Sequence, residues 1–297
     1  MRAGATLTAA DPQGSGGAGD PGHLAAITMT AMDPARARTF DAWAADYDRF
    51  RPSYPVELFE TIATQLGLPT VPEVADLGAG TGQASRVMAR LGWRVIAVEP
   101  GGPMLDVLRG RAAEEGLDIA TVQRGAEDTG LASRSTDLVT AAASFHWFDQ
   151  QRALDEIARI LKPGGGLAIF FNARDEERSP FLAEFEPLLR RYIADDDAGG
   201  YLLSLPEGTT RRAIEAHGHT FAVPTMTQLR HEKEYTAEEF IGMVFTNSPV
   251  RLNKTPQQQE TFRGEVAALL HRHHLTNGQP FAIPYQLLLW TARRSDQ

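Results

Sequence analysis

Three glycines, Gly78, Gly80 and Gly82, follow an acid in the run Val74-Ala75-Asp76-Leu77-Gly78-Ala79-Gly80-Thr81-Gly82. With no Cβ in the way, such a turn lets bare backbone approach a ligand. A second run, Trp93-Arg94-Val95-Ile96-Ala97-Val98, ends on Glu99. Two carboxylate oxygens at that point can accept from both hydroxyls of a ribose. The residue types and their spacing therefore point to a nucleoside-bearing ligand. A nucleotide P-loop needs Gly-Lys-Ser/Thr after its glycines, whereas Gly82 is followed by Gln83-Ala84-Ser85. A dinucleotide fingerprint would put its third glycine at position 83, which is Gln83. Gly-x-Gly-x-Gly behind an acid has no seat for a pyrophosphate and suits a smaller, cationic ligand. A tight strand–helix turn with no ligand is the plainer alternative, and Glu99 weighs against it.

Other residues could join this chemistry. His146, in Phe145-His146-Trp147-Phe148-Asp149, is the best-placed general base in the chain. The competing reading is a ring wedged by Trp147 and Phe148 that shapes a pocket. Arg51 can pair with a ligand carboxylate, or it caps a turn while Tyr47 and Tyr54 pack in the core. Glu127 is either a ligand contact or a helix-start acid favoured by the dipole; Asp128 beside it is the alternate. His271, His273 and His274 end an expected helix and suggest no metal site. Asp195-Asp196-Asp197 reads as a solvated loop.

Strands and helices must place these residues. Val56–Leu66 carries Leu58, Phe59, Ile62, Ala63 and Leu66 on one helical stripe, and Gly67 stops it. Expected strands are Glu73–Leu77, Arg94–Glu99, Asp118–Gln123, Thr136–Ala143 and Leu167–Phe171. Between them lie helices at Gly82–Leu91, Pro103–Glu115 and Gln150–Leu161, with a Lys162-Pro163-Gly164-Gly165 turn before the fifth strand. This alternation predicts an α/β, doubly wound, parallel sheet with its ligand at the carboxyl ends of the strands. From Arg174 the alternation breaks into helical sequence, read as a cap. Gln228–Tyr235 predicts a strand, Ala237–Phe245 and Thr255–His273 helices, and Ile283–Thr291 a last strand inside the sheet. The expected organisation is a disordered tail over 1–32, a ligand-binding core over 33–172, a helical cap over 173–227, and the end of the core over 228–297. Met29 or Met32 reads as an alternative start.

The formal net charge of −9 argues against a nucleic-acid partner, which needs a basic face. There is no cysteine, which excludes disulfides, thiolate metal sites and cysteine nucleophiles. No apolar run approaches the roughly 18 residues that span a bilayer, and no signal-peptide pattern opens the chain. A cytoplasmic protein is expected.

The stretch Asp76-Leu77-Gly78-Ala79-Gly80-Thr81-Gly82 with Glu99-Pro100 resembles the S-adenosyl-L-methionine site of class I methyltransferases. The finer pattern is similar to the small-molecule branch that includes ubiquinone/menaquinone and trans-aconitate methyltransferases. Its motifs here are Tyr47-Asp48 to Arg51-Pro52-Ser53-Tyr54-Pro55 and His146-Trp147-Phe148. The resemblance covers about residues 39 to 172 and implies a Rossmann-like, mainly parallel seven-stranded methyltransferase sheet with a helical cap after strand five. It implies that Asp76 and Gly78, Ala79, Gly80 and Gly82 face the methionine and ribose of the cofactor. Glu99 would hold the ribose hydroxyls, and Pro100 and Met104 would line the adenine. Gly125-Ala126-Glu127-Asp128 resembles the adenine-edge motif, in which Ala126 and Glu127 read the ring. Tyr47, Arg51 and Ser144 complete the implied cofactor shell.

The expected activity is methyl transfer to a small hydrophobic or aromatic metabolite at oxygen, nitrogen or carbon. Phe181, Phe185, Leu188, Tyr192, Tyr201 and Leu202 would line its pocket or else pack in the cap's core. Two other readings are a cyclase that uses the cofactor without methylating and a non-catalytic cofactor-binding protein. The expected partner is the small-molecule methyl acceptor, with no nucleic acid, membrane or metal. A homodimer is compatible with the sequence.

Overall fold

The computed structural model describes residues 38–194, 207–252 and 254–295. The expected tail over 1–32, the Asp195–Asp197 run, Tyr201 and Leu202 lie outside the described residues.

Alternating burial sets the sheet. Along β1 (Glu73–Leu77), Val74 joins one apolar layer and Ala75 the opposite one. Leu138 and Val139 divide the same way on β4 (Thr136–Ala142), as do Phe170 and Phe171 on β5 (Leu161–Arg174). A period of two with both faces apolar requires helices on both sides. On one side sit α2 (Val56–Leu66), whose Leu58, Phe59 and Ile62 are fully buried, and α3 (Ser85–Arg90). On the other sits α5 (Gln150–Ile160), with Leu154, Ile157 and Ile160 inward. The short α1 (Ala44–Phe50), preceded by a 3-10 segment Arg38–Trp43, opens the described chain. Next to β2 (Arg94–Val98) and β3 (Ile119–Val122), α4 (Gly102–Glu114) buries Leu105 and Leu108.

Seven strands form one sheet in the order β3-β2-β1-β4-β5-β7-β6. The first five run parallel, with Val74 opposite both Val95 and Leu138. The last strand, β7 (Phe281–Arg293), enters antiparallel between β5 and β6 (Thr225–Tyr235). The mainly parallel, doubly wound architecture is as expected.

Three local expectations change. Strand five is longer at both ends than Leu167–Phe171 and takes in the expected Lys162–Gly165 turn. Antiparallel pairing with β7, from Gly166–Arg293 to Arg174–Tyr285, carries it on to Arg174. The helix expected from Gly82 begins at Ser85, because Gly78, Gly80 and Gly82 all have positive φ and hold the chain in a turn. The cap is not confined to 173–227. Its first helix, α6 (Pro180–Ile193), shares one apolar cluster with α8 (Ala237–Val244), the short α9 (Ser248–Arg251) and α10 (Pro256–Arg272). The helix α7 (Glu207–Ala216) instead puts Ile214 into the sheet-face layer beside α5. Packing thus builds the cap from segments on both sides of the expected boundary.

Candidate functional site

At the carboxyl edge of the parallel strands lies a cavity of about 850 Å³. Its floor is the glycine turn between β1 and α3. The N–H groups of Gly78 and Ala79 donate to Val98 O, which ties the turn to β2. A Cβ on Gly78 would meet Ser144 Cβ at 2.6 Å, and φ there is +64°. Only glycine fits that approach. Ser144 comes from the end of β4 and donates through Oγ to Leu77 O at 2.7 Å, so it clamps the two strand ends together.

Glu99 ends β2 beside this turn and is 8% exposed. Gly80 N–H donates to its Oε2 at 2.9 Å, and Gly101 N–H donates to its Oε1 at 2.9 Å. Burial pushes the carboxyl above its ordinary value, and these two donors draw it back. Each oxygen keeps further lone-pair capacity on the cavity side. A fixed carboxylate next to bare backbone suits a ribose, so the donor set fits an adenosyl cofactor.

Asp76 does not face the cavity. It is completely buried, accepting from Thr140 Oγ1 at 2.7 Å and from Ser85 Oγ. Burial raises its pKa to about 6 against the opposing pull of those hydroxyls. The side chain therefore acts on the cofactor turn indirectly, by joining β1, β4 and the start of α3. Gly82 also stands off the cavity wall, with a Cβ position 2.8 Å from Leu108 Cγ that packs the turn onto α4.

The remaining expected residues converge on the cavity although they lie far apart in sequence. Pro100 and Met104 line the end near Glu99, and Ala126 and Glu127 adjoin it. Glu127 Oε1 accepts from Asp149 N–H at 2.8 Å, while Asp128 turns outward to Arg124 at 3.0 Å. Tyr47 and Arg51 line the cavity from the segment of α1 and its exit. The Arg51 guanidinium stacks 5.1 Å from the Tyr47 ring, and its Nη2 donates to Thr246 O and Asn247 Oδ1, each at 3.0 Å. Tyr54 lies edge-on to Phe170 at 4.9 Å, and burial raises its pKa.

His146 lies on the cavity wall in a 3-10 turn, Phe145–Trp147, that leaves β4. Burial and the charge of Arg51 lower its pKa to about 4. The imidazole is neutral near pH 7 and can accept a proton, but as a weak base. Its ring lies 5.1 Å from that of Trp147, which in turn meets Phe40 edge-on at 5.5 Å.

The cavity continues under the cap, where sequence reasoning missed most of the wall. Phe181 and Phe185 are buried in the cap's own core, with Leu188 and Tyr192 packed against it. The opposite side of α6 supplies Glu186, Leu189, Arg190 and Ile193 instead, joined by Met243 and Val250. Asn172 and Arg174 come from the end of β5, and Tyr285 from β7 opposite Arg174. One signal could have found Arg174: it closely follows an expected parallel strand, at the edge where such sheets bind ligands. Among the described residues no cluster of three His, Asp or Glu could hold a metal. No helix there is long and apolar enough to cross a membrane.

Comparison with known proteins points to a methyltransferase. Residues 75–169 match the model of a methyltransferase domain. An uncharacterized methyltransferase of Mycobacterium bovis is 32% identical over 263 residues, covering 86% of this chain and 96% of that protein. A demethylmenaquinone methyltransferase of Clavibacter sepedonicus is 33% identical over 44% of this chain and 55% of its own. Among solved structures, one from Anaeromyxobacter dehalogenans, provisionally assigned as a type II methyltransferase, superposes with a TM-score of 0.61. It is 25% identical, over 82% of this chain and 98% of that one. With its glycine turn, its buried acid after β2 and its strand order, the chain belongs to the class I S-adenosylmethionine-dependent methyltransferase family.

Proposed function

We propose that S-adenosyl-L-methionine lies along the carboxyl edge of the sheet with its ribose on Glu99, and that its methyl passes to a small molecule held beneath α6 and α8. The observation that carries this reading is Glu99, whose two oxygens are fixed by Gly80 and Gly101 N–H while the side chain borders the cavity. When bound, the cofactor supplies a methyl on a sulfonium, already a good leaving group. The protein's work is then to align an acceptor and exclude water. Gly78, Ala79 and Gly80 form the bed, Pro100 and Met104 the adenine wall, and Tyr47, Arg51 and Trp147 close the upper side. Leu189, Ile193, Met243, Pro249 and Val250 give the acceptor space an apolar lining that suits the body of a small metabolite. His146 can take a proton from an acceptor that must lose one, but its low basicity favours acceptors that already present a nucleophile.

Calorimetry on the folded protein with S-adenosylmethionine and S-adenosylhomocysteine tests the cofactor half of this reading. Saturable binding of both is expected, and failure of both to bind would overturn it. Transfer of labelled methyl to a panel of small acceptors tests the other half.

A further inference from the structure

Arg51 reaches from the exit of α1 to the cap. Its Nη2 donates to Thr246 O and Asn247 Oδ1, each at 3.0 Å, across 195 and 196 residues of sequence. Thr246 and Asn247 lie in the turn between α8 and α9. Asn247 and the residues after it, Ser248, Pro249 and Val250, line the cavity. One guanidinium therefore joins the segment that closes over the glycine turn to the segment that walls the space beneath the cap.

The backbone that carries Arg51 is fixed without the cap. Lys233 on β6 donates through Nζ to Phe50 O and Arg51 O, both at 3.0 Å. Arg51 N–H donates to Tyr47 O at 3.1 Å. What the cap decides is the direction of the guanidinium, which stacks on the Tyr47 ring.

Asn247 is suited to set that direction. Its Nδ2 donates to Val244 O at 3.0 Å and to Met243 O at 3.4 Å, inside its own turn. The amide nitrogen is thus committed, and Oδ1 is left to face Arg51. Both acceptors of the Arg51 bonds are neutral oxygens, so they orient the guanidinium without neutralising it. No described residue accepts from Nε, so the group keeps donor capacity for an anion. A second tie, Arg251 Nη2 to Asp46 Oδ2 at 3.3 Å, involves a half-exposed carboxylate and holds more weakly.

We infer that Asn247 is a positioning residue for the cofactor site, acting through Arg51, and that this contact couples the cofactor site to the α8–α9 wall. The inference rests on the proposed cofactor site, with Arg51 beside the amino-acid end of the ligand. Coupling of this kind is reciprocal, so a ligand that packs against Pro249 and Val250 would also tighten the cofactor.

The test uses the full chain and S-adenosylhomocysteine, with calorimetry on the wild type read first. Absence of binding there would overturn the proposed cofactor site and this inference with it. Given binding, Asn247→Ala should weaken it by about fivefold or more. Arg51→Gln should weaken it by about tenfold, and adding Asn247→Ala to Arg51→Gln should then change it by less than about twofold. A role of Asn247 confined to its own turn would give the same loss in both backgrounds, and that result would overturn the inference. So would unchanged binding in Asn247→Ala alone. Amide hydrogen exchange gives an independent readout. Saturating S-adenosylhomocysteine should slow exchange over residues 245–252 several-fold in the wild type. Saturated Arg51→Gln should lose that slowing and keep the slowing over residues 76–82. Protection of 245–252 that is missing in the wild type, or that survives in Arg51→Gln, would also overturn it.

Discussion

Glu99 and Asp76 are both buried acids at strand ends, yet they do different work. Glu99 offers its spare lone pairs to the cavity, and Asp76 spends its own on Thr140 and Ser85. Glu99→Ala should therefore weaken S-adenosylhomocysteine binding by ~1–3 kcal/mol, the value of a charged hydrogen bond. Calorimetry that found unchanged affinity would remove its ribose role. Asp76 should show itself in stability. Its pKa rises from 3.8 to about 6 on folding, so between those values the native state binds more protons than the unfolded state. Its contribution is fully present below about pH 4 and is lost as pH rises through 6. Relative to the wild type, Asp76→Asn should gain on the order of 3 kcal/mol between pH 4 and pH 7. Urea unfolding of the pair at both pH values measures this, and a pH-independent difference would refute it. His146, lowered to about 4, pushes the wild-type profile the opposite way, so the comparison must be with the variant. Both acids stand out in the sequence, but which one faces the ligand does not. That depends on where Thr140 and Ser85 sit, and they come from β4 and α3.

Among the elements, α1 is tied to its neighbours by ion pairs on a buried acid. Asp48 is almost fully buried, and it accepts from Arg86 Nη2 at 2.8 Å and Arg111 Nε at 2.7 Å. Gln83 Nε2 donates to Asp48 O at 3.0 Å, so this helix is fastened to the glycine turn, α3 and α4 together. Asp48→Asn should cost ~1–3 kcal/mol locally, discounted for the half-exposed Arg111. The expected result is faster amide hydrogen exchange over residues 44–54 and several-fold weaker S-adenosylhomocysteine binding. Unchanged exchange there would show that the apolar contacts hold α1 without the latch. Elements with a strong local period were legible in the sequence: α2 falls at Val56–Leu66 as expected, because its apolar stripe and the left-handed Gly67 mark both ends. The length of β5 was not legible, because it is set by pairing with a strand more than a hundred residues later. In the cap the choice between pocket lining and core packing was open for a related reason. Phe181 and Phe185 are apolar in any helix, and only the approach of Phe240 at 5.0 Å from each decides that they face α8 and not the ligand.

At the scale of the molecule, β7 lies inside the sheet between β5 and β6 and contributes to the apolar layers on both of its faces. Leu287 and Leu289 enter one layer, and Leu288 and Trp290 the other. Trp290 is 1% exposed and stacks on Phe171 at 5.6 Å. Trp290→Ala should cost ~3–5 kcal/mol and lower the thermal midpoint accordingly. A loss below ~1 kcal/mol would mean that the strand is held mainly by its backbone ladder. Folding also brings together the two halves of the cavity, since the cofactor bed comes from β1 to β4 and the far wall from β5, β7 and the cap. The proposed cofactor bed is local chemistry: a turn with positive φ at Gly78, Gly80 and Gly82, and an acid at the end of the next strand. Such features need particular residues at fixed short spacings, so the sequence by itself determined the fold class and a nucleoside-bearing ligand, and its resemblance to a family implied the methyl donor. The far wall of the cavity takes in Arg174, Glu186 and Tyr285, brought together by an antiparallel strand and a cap helix with no common spacing. Only the tertiary structure decided that this wall is charged, because long-range packing alone determines which side of each element meets the cavity.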